Sequence, residues 1–366
     1  MKRAITMGLL KRGLAGLLGI ALAMMLALPA TPAKADTFKL TAAAGHPPVF
    51  LWIKLLTEFY IPEVNKKLAA SSGGRYKIEW TEAYGGTLVK LGGESGALKD
   101  GIADIGFVST IFEAPKFPMQ NVSYIAPFGT DNIDIISKVT SELQRSIPAM
   151  NDAWSKNNLV YLGGAALDTY HVWSTFPIKS IDDLKGRKIS APGPSANWVK
   201  GTGAVAVAGT LSTYYNDIKT GVSDGTLTFI TGAWGAKVHE VAPFITKVNF
   251  GAMFAGGLAV NKPRFERMPP EVQKILREMG DEYSVRFARA QAEAAEGLLK
   301  RMGDAGGKIS ELDPKERQRW ADTLPNVART WAADLDGKGM PGTAVLKGYI
   351  DGLRKAGVSI PRDWSK

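Results

Sequence analysis

The 366-residue chain has no cysteine and only three histidines. The first absence excludes disulfides, thiolate nucleophiles, Cys-ligated zinc or iron–sulfur clusters, and a lipid-bearing cysteine behind a leader. The second leaves His46, His171 and His239 without metal-ligand spacing and without a His-Glu-x-x-His helix, which argues against a zinc hydrolase. No paired carboxylates stand out as general acid and base. Gly93-Glu94-Ser95-Gly96-Ala97 lacks the last glycine of a nucleophile elbow, and no strand leads directly into it. Gly201-Thr202-Gly203-Ala204-Val205-Ala206 fits a dinucleotide-binding pattern only in its letters, because a helical stretch precedes it and the strand follows. Neither a cofactor nor a metal is expected.

What is present suits a globular protein: 45% hydrophobic and 9% aromatic residues, with length enough for two domains. The 45 Lys and Arg exceed the 35 Asp and Glu by ten, and half of that excess lies in the first 35 residues. There Lys2, Arg3, Lys11 and Arg12 precede an apolar run over residues 14–28, followed by Ala33-Lys34-Ala35. That run is shorter than the ~20 residues a membrane span needs. It reads as a signal peptide over 1–35, cleaved between Ala35 and Asp36, sending the protein to the periplasm. The remaining basic residues are scattered over helical patterns with acids nearby, so no nucleic-acid partner is expected.

Periodicity predicts a strand over 38–44, then a helix over 50–68 with Ile53, Leu56, Tyr60, Val64 and Leu68 on one face. A strand over 76–82, a buried strand over 105–109, a helix over 133–154 and a strand over 160–165 continue the alternation. The pattern is that of an α/β protein with mostly parallel sheets. An internal echo sharpens it. Residues 97–104 and 217–224 each end a helix at a glycine (Gly101, Gly221) and place an aspartate (Asp104, Asp224) before the next strand. This suggests two similar lobes. Pro269-Pro270 opens a helix of about 30 residues, about 45 Å long, enough to brace both. Helices over 314–335 and 343–356 follow.

At this point the chain resembles the solute-binding proteins of TRAP (tripartite ATP-independent periplasmic) transporters. Residues 98–109 and 181–189 carry the likeness, with Thr220-Gly221-Val222-Ser223-Asp224-Gly225, Lys237-Val238-His239-Glu240-Val241 and residues 336–342 in support. The resemblance implies a two-lobed periplasmic solute-binding fold with crossing strands and a long helix spanning both lobes. It places lobe I at 36–166 plus 254–290, and lobe II at 167–253 plus 291–366 with a C-terminal helical extension. It implies closure on one small solute, hinged near Leu167 and Phe254, and delivery to inner-membrane permease subunits without catalysis, by a monomer. An exported hydrolase and a periplasmic ligand sensor of the same fold are the alternatives.

The departures bear on the ligand. Where the family has an arginine that forks onto a carboxylate, this chain has Ser190; where many sugar-acid binders have a second arginine, it has Tyr170. The family's Asp-Gly-Gln-Glu-Asn run is here Asp224-Gly225-Thr226-Leu227-Thr228. The resemblance implies ligand contacts at His46, Ser109, Thr110, Tyr170, Trp173, Ser190, Asn197, Tyr215 and Trp234. With hydroxyls and aromatic faces in place of guanidinium groups, the expected solute is neutral or a monocarboxylate, with a sizeable apolar or aromatic part.

Overall fold

The computed structural model describes residues 35–366; the leader expected over 1–35 lies, but for Ala35, outside the described residues. Eleven strands run in chain order: β1 (Asp36–Ala43), β2 (Tyr76–Ala83), β3 (Ile105–Ser109), β4 (Leu159–Leu167), β5 (Tyr170–Ser174), β6 (Lys188–Ala191), β7 (Val205–Ala208), β8 (Gly225–Phe229), β9 (Phe244–Lys247), β10 (Met253–Asn261) and β11 (Lys308–Glu311). They form two sheets, ordered β2-β1-β3-β10-β4 and β11-β9-β5-β8-β6-β7. In each, a parallel set meets an antiparallel strand that has crossed from the other sheet's side: β10 beside β3, and β5 beside β8.

The sequence echo is a structural one. Gly101 and Gly221 both take positive φ, 71° and 75°. Asp104 then accepts a hydrogen bond from Thr41 N in β1 at 2.8 Å, and Asp224 accepts one from Lys188 N in β6 at 2.8 Å. Each aspartate thus clasps the neighbouring parallel strand at the point where β3 or β8 begins. Both strands are buried throughout, and their carboxyl ends point at one another's lobe.

The chain crosses between sheets at residues 168–169 and 248–252, where Tyr170 N donates to Gly251 O and Phe250 N donates to Tyr170 O, both at 3.1 Å. The long helix, Pro270–Asp304, makes the third link. It starts on a proline, whose missing N–H is no loss in the first turn, and buries Val272, Leu276, Met279, Tyr283 and Phe287. Tyr60 Oη donates to Leu276 O at 3.1 Å, and Tyr283 Oη donates to Trp52 O at 2.7 Å, which fixes residues 51–60 on the helix.

Three expectations need correcting, one of them the helix expected over 314–335, which is two, Pro314–Thr323 and Val327–Gly337, parted at Pro325. The helix expected over 133–154 is two, Ile133–Ser146 and Pro148–Lys156, because Pro148 cannot continue the ladder. The C-terminal helices were assigned to lobe II. Val327–Gly337 and Gly342–Lys355 instead return to the first lobe, packing on Val122–Ile125 and Ile133–Ser146, and Trp364 Nε1 donates to Pro127 O at 2.7 Å. Val139 and Leu143 offer an apolar stripe there, which Gly348 and Gly352 approach closely.

Candidate functional site

The carboxyl ends of β3 and β8 meet across a narrow cavity. This is where parallel α/β sheets place their ligands. From the first lobe come His46 in the loop after β1, Trp52, and Ser109 with Phe112 at the end of β3. From the second come Tyr170, Tyr214, Thr228 and Phe229. No lysine, arginine, aspartate or glutamate is among the described residues lining it.

Aromatic rings make most of the wall. Phe50 stacks on Trp52 at 4.9 Å, Trp52 meets Phe229 across the lobes at 6.0 Å, and Phe229 meets Tyr170 at 5.2 Å. The polar groups are neutral. The Tyr124 and Tyr170 hydroxyls lie 3.1 Å apart, so one can donate to the other while the second O–H stays free for a ligand. Tyr214 Oη donates to Gly209 O at 3.3 Å. Burial pushes the Tyr170 phenol well above its ordinary value, so it remains a donor at any ordinary pH. Trp52 Nε1 is buried with no partner among the described residues.

Not all the expected residues gather here. His46, Ser109 and Tyr170 line the cavity. Thr110 is fully buried just behind Ser109, its hydroxyl without a partner. Ser190 is likewise buried, without a partner among the described residues, and lies behind Gly209 and Tyr214. Trp173 belongs to the second lobe's core, because alternation along β5 puts Tyr170 and Val172 on one face and Trp173 on the other. Asn197 Nδ2 donates locally to Pro194 O at 3.0 Å. Tyr215 lies outside with Lys219 Nζ 5.5 Å from its ring centroid, while its neighbour Tyr214, about 100° round the helix, faces the cavity. Trp234 stacks on His239 at 5.0 Å and lines a separate depression with Leu51 and Leu298. Thr110, Trp173, Ser190, Asn197, Tyr215 and Trp234 thus do not line the cavity. Trp52, Tyr124, Tyr214, Thr228 and Phe229 line the cavity without having been among the expected contacts. The echo could have found the last: Asp104 to Ser109 maps onto Asp224 to Phe229.

Beside the cavity, Asp168 ties the hinge. Its carboxylate accepts from Ile230 N at 2.7 Å, from Thr231 Oγ1 at 2.8 Å and from Gln291 Nε2 of the long helix at 2.7 Å. Burial pushes it up to about 6, against those hydrogen bonds. Glu94 is similar: its carboxylate accepts from Gly45 N at 3.2 Å and Gly92 N at 2.7 Å, seating the loop that carries His46, and burial pushes it up to about 7. Burial lowers His46 to about 4 and His171 to about 3.

These shifts set a pH profile for stability. A raised carboxyl binds its proton in the folded state first, so Glu94 and Asp168 add stability as pH falls from about 8 towards 5. The lowered histidines bind protons first in the unfolded chain, so below their ordinary value of about 6.5 they remove stability as pH falls. The effects nearly cancel over the shared window, and below about pH 5 the histidine loss wins. The melting temperature is therefore expected to be nearly flat from pH 8 to 5, with a shallow maximum near 6.5, and to fall below 5. Scanning calorimetry across pH 4–8 checks this; a continuous rise down to pH 4 would contradict it.

Two similar lobes meeting over a cavity define a two-lobed ligand-binding fold. The family model for bacterial extracellular solute-binding protein, family 7 (DctP), matches residues 60–334, and the chain belongs to that family. It is a family of binding proteins rather than enzymes. A solute-binding protein of Sulfitobacter sp. (strain NAS-14.1) is 24% identical over 225 residues, covering 61% of this chain; the chain spans 66% of that relative's length. A TRAP solute-binding protein from Rhodoferax ferrireducens T118, in complex with copurified benzoate, superposes with a TM-score of 0.75 at 20% identity, covering 87% of this chain and 98% of that one. A marine metagenome TRAP solute-binding protein specific for aromatic acid ligands, crystallised with 3-hydroxybenzoate, gives 0.75 at 18% identity over 88% and 99%.

Proposed function

We propose that this protein captures a small aromatic or otherwise apolar monocarboxylic acid, or a neutral relative of one, between its lobes in the periplasm and hands it to a TRAP-type membrane permease. The observation that carries the reading is the cavity wall: aromatic faces, neutral hydroxyls and no charged side chain among its described residues. A buried dicarboxylate or sugar acid would leave at least one charge without a cationic partner, at a cost of several kcal/mol. One carboxylate can be served by the free phenolic O–H, Ser109 and Thr228, while its ring lies against Trp52 and Phe229. The benzoate and 3-hydroxybenzoate complexes of the two similar structures support an aromatic acid as the class of ligand.

Calorimetry of the protein with benzoate, 3-hydroxybenzoate, succinate and galacturonate tests it. Binding of the aromatic acids with the other two inert is the expected result; the reverse would overturn the reading. Tyr170→Ala removes a ring and a donor from the cavity and should weaken aromatic-acid binding by about 1–3 kcal/mol. Trp234→Ala, outside the cavity, should leave affinity within about twofold, which direct titration of both variants would show.

A further inference from the structure

Resting on the function proposed above, we propose that an acid binds here together with one proton from solution, held between its carboxyl group and His46. The geometry carries the argument. His46 is the one side chain among the described lining residues that can become a cation near neutral pH. Its ring is boxed edge-on by Phe50 at 5.5 Å and Trp52 at 5.1 Å, with Phe112 at 6.1 Å. The loop that carries it is pinned by Glu94, which holds Gly45 N. The imidazole is therefore fixed in place and open to the cavity.

The charged groups on the surrounding elements are turned elsewhere. Glu94 is committed to Gly45 N and Gly92 N. Glu113 holds Ser95 and pairs with Lys116 at 2.9 Å. Lys90 lies over Gly86, and Lys54 pairs with Glu58 at 3.7 Å. Across the cavity stand only the phenols of Tyr124, Tyr170 and Tyr214, with Asp168 behind them bonded to Gln291. Accordingly, burial is the sole cause that lowers His46 to about 4, and the ring is neutral while the cavity is empty.

An entering carboxylate changes that balance. An opposite charge within about 4–6 Å favours the charged form of a titrating group by roughly ten- to a thousandfold. From about 4, the upper part of that range brings His46 into the neutral region, so that the anion recruits a proton. If the proton instead stays on the carboxyl, which then donates to the neutral ring, the balance is the same: one proton leaves bulk water for each acid bound. The complex is then neutral, as a site of aromatic rings and hydroxyls requires. A neutral amide or alcohol of the same shape needs no proton.

Titration calorimetry of the unmodified protein with benzoate, at pH 7 in buffers of different ionisation enthalpy, reads the proton directly. Uptake of about half a proton per benzoate is expected at pH 7, approaching one near pH 6, with affinity falling by up to about tenfold per pH unit between pH 5 and 7 and levelling off above. Benzamide should bind with no uptake and no such slope. His46→Gln, checked for folding by its melting curve, should abolish uptake and weaken benzoate at least tenfold, and benzamide much less. Benzoate binding with no proton uptake between pH 6 and 8 would overturn the inference while leaving the proposed function intact. Failure of benzoate, 3-hydroxybenzoate and benzamide alike to bind would overturn both.

Discussion

Trp198→Ala is expected to lower stability by about 3–5 kcal/mol, the usual range for truncating a buried tryptophan. Trp198 is fully buried. Its ring stacks on Tyr124 at 6.0 Å and Phe250 at 5.0 Å, and meets Tyr170 edge-on at 5.4 Å. Its indole N–H donates to Tyr124 O at 2.7 Å, and its carbonyl accepts from Trp320 Nε1 at 2.7 Å. This one residue joins the second-lobe segment 193–199 to the first-lobe helix Val122–Ile125, next to the tyrosine pair that faces the cavity. Truncation leaves a large void and an unpaired carbonyl at the lobe junction. Calorimetric melting should drop by roughly 4–7 °C, and aromatic-acid affinity should fall with it. Trp198→Phe keeps most of the packing, loses one hydrogen bond, and should cost about 1–2 kcal/mol. A loss below 1 kcal/mol for the alanine variant would show that the lobes are not held here.

Gly280→Val should be comparably damaging, although valine is usually a better helix residue than glycine. The long helix lies so close to β4 that a Cβ on Gly280 would sit 2.4 Å from Leu162 O, and one on Gly163 would sit 2.1 Å from Gly280 O. The obstructing atoms are backbone, so no rotamer change relieves the clash. The helix must lift away from the strand, and overpacking of this kind costs about 3 kcal/mol or more. On the same helix, Gly297 is exposed and a Cβ there meets nothing within 4 Å. Gly297→Ala should therefore raise stability by roughly 0.5–1 kcal/mol. Opposite shifts of the melting midpoint in the two variants would separate packing from propensity; a stabilised Gly280→Val would contradict the close approach.

Much of the architecture was legible because its signals are local. Apolar period and glycine C-caps mark β3 and β8 and the short helices before them, and the aspartates at 104 and 224 mark where each strand starts. The break at Pro148 is likewise local, since proline cannot continue a helix from within. The C-terminal helices were misplaced for a different reason: their amphipathic pattern says that one face is buried, not against which lobe.

The site divides along the same line. Absence of cysteine and scarcity of histidine point away from metal chemistry, and the family resemblance, with Ser190 and Tyr170 at its arginine positions, implies no clamp for a dicarboxylate. Ser109 lines the cavity because the carboxyl end of β3, a locally marked feature, opens onto it. Which aromatic rings meet in the cavity was decided by contacts far apart in sequence: Tyr283 holding Trp52 across 231 positions, Trp198 reaching Tyr124 across 74, and Asp168 reaching Gln291 across 123. Adjacent tyrosines at 214 and 215 have the same composition and the same local pattern, and only the docking of their helix sends one inward and one to solvent. The chain alone determines which face of each element is apolar; the packing of the two lobes determines which of those faces is left open to a ligand, because that depends on what the other lobe does not cover.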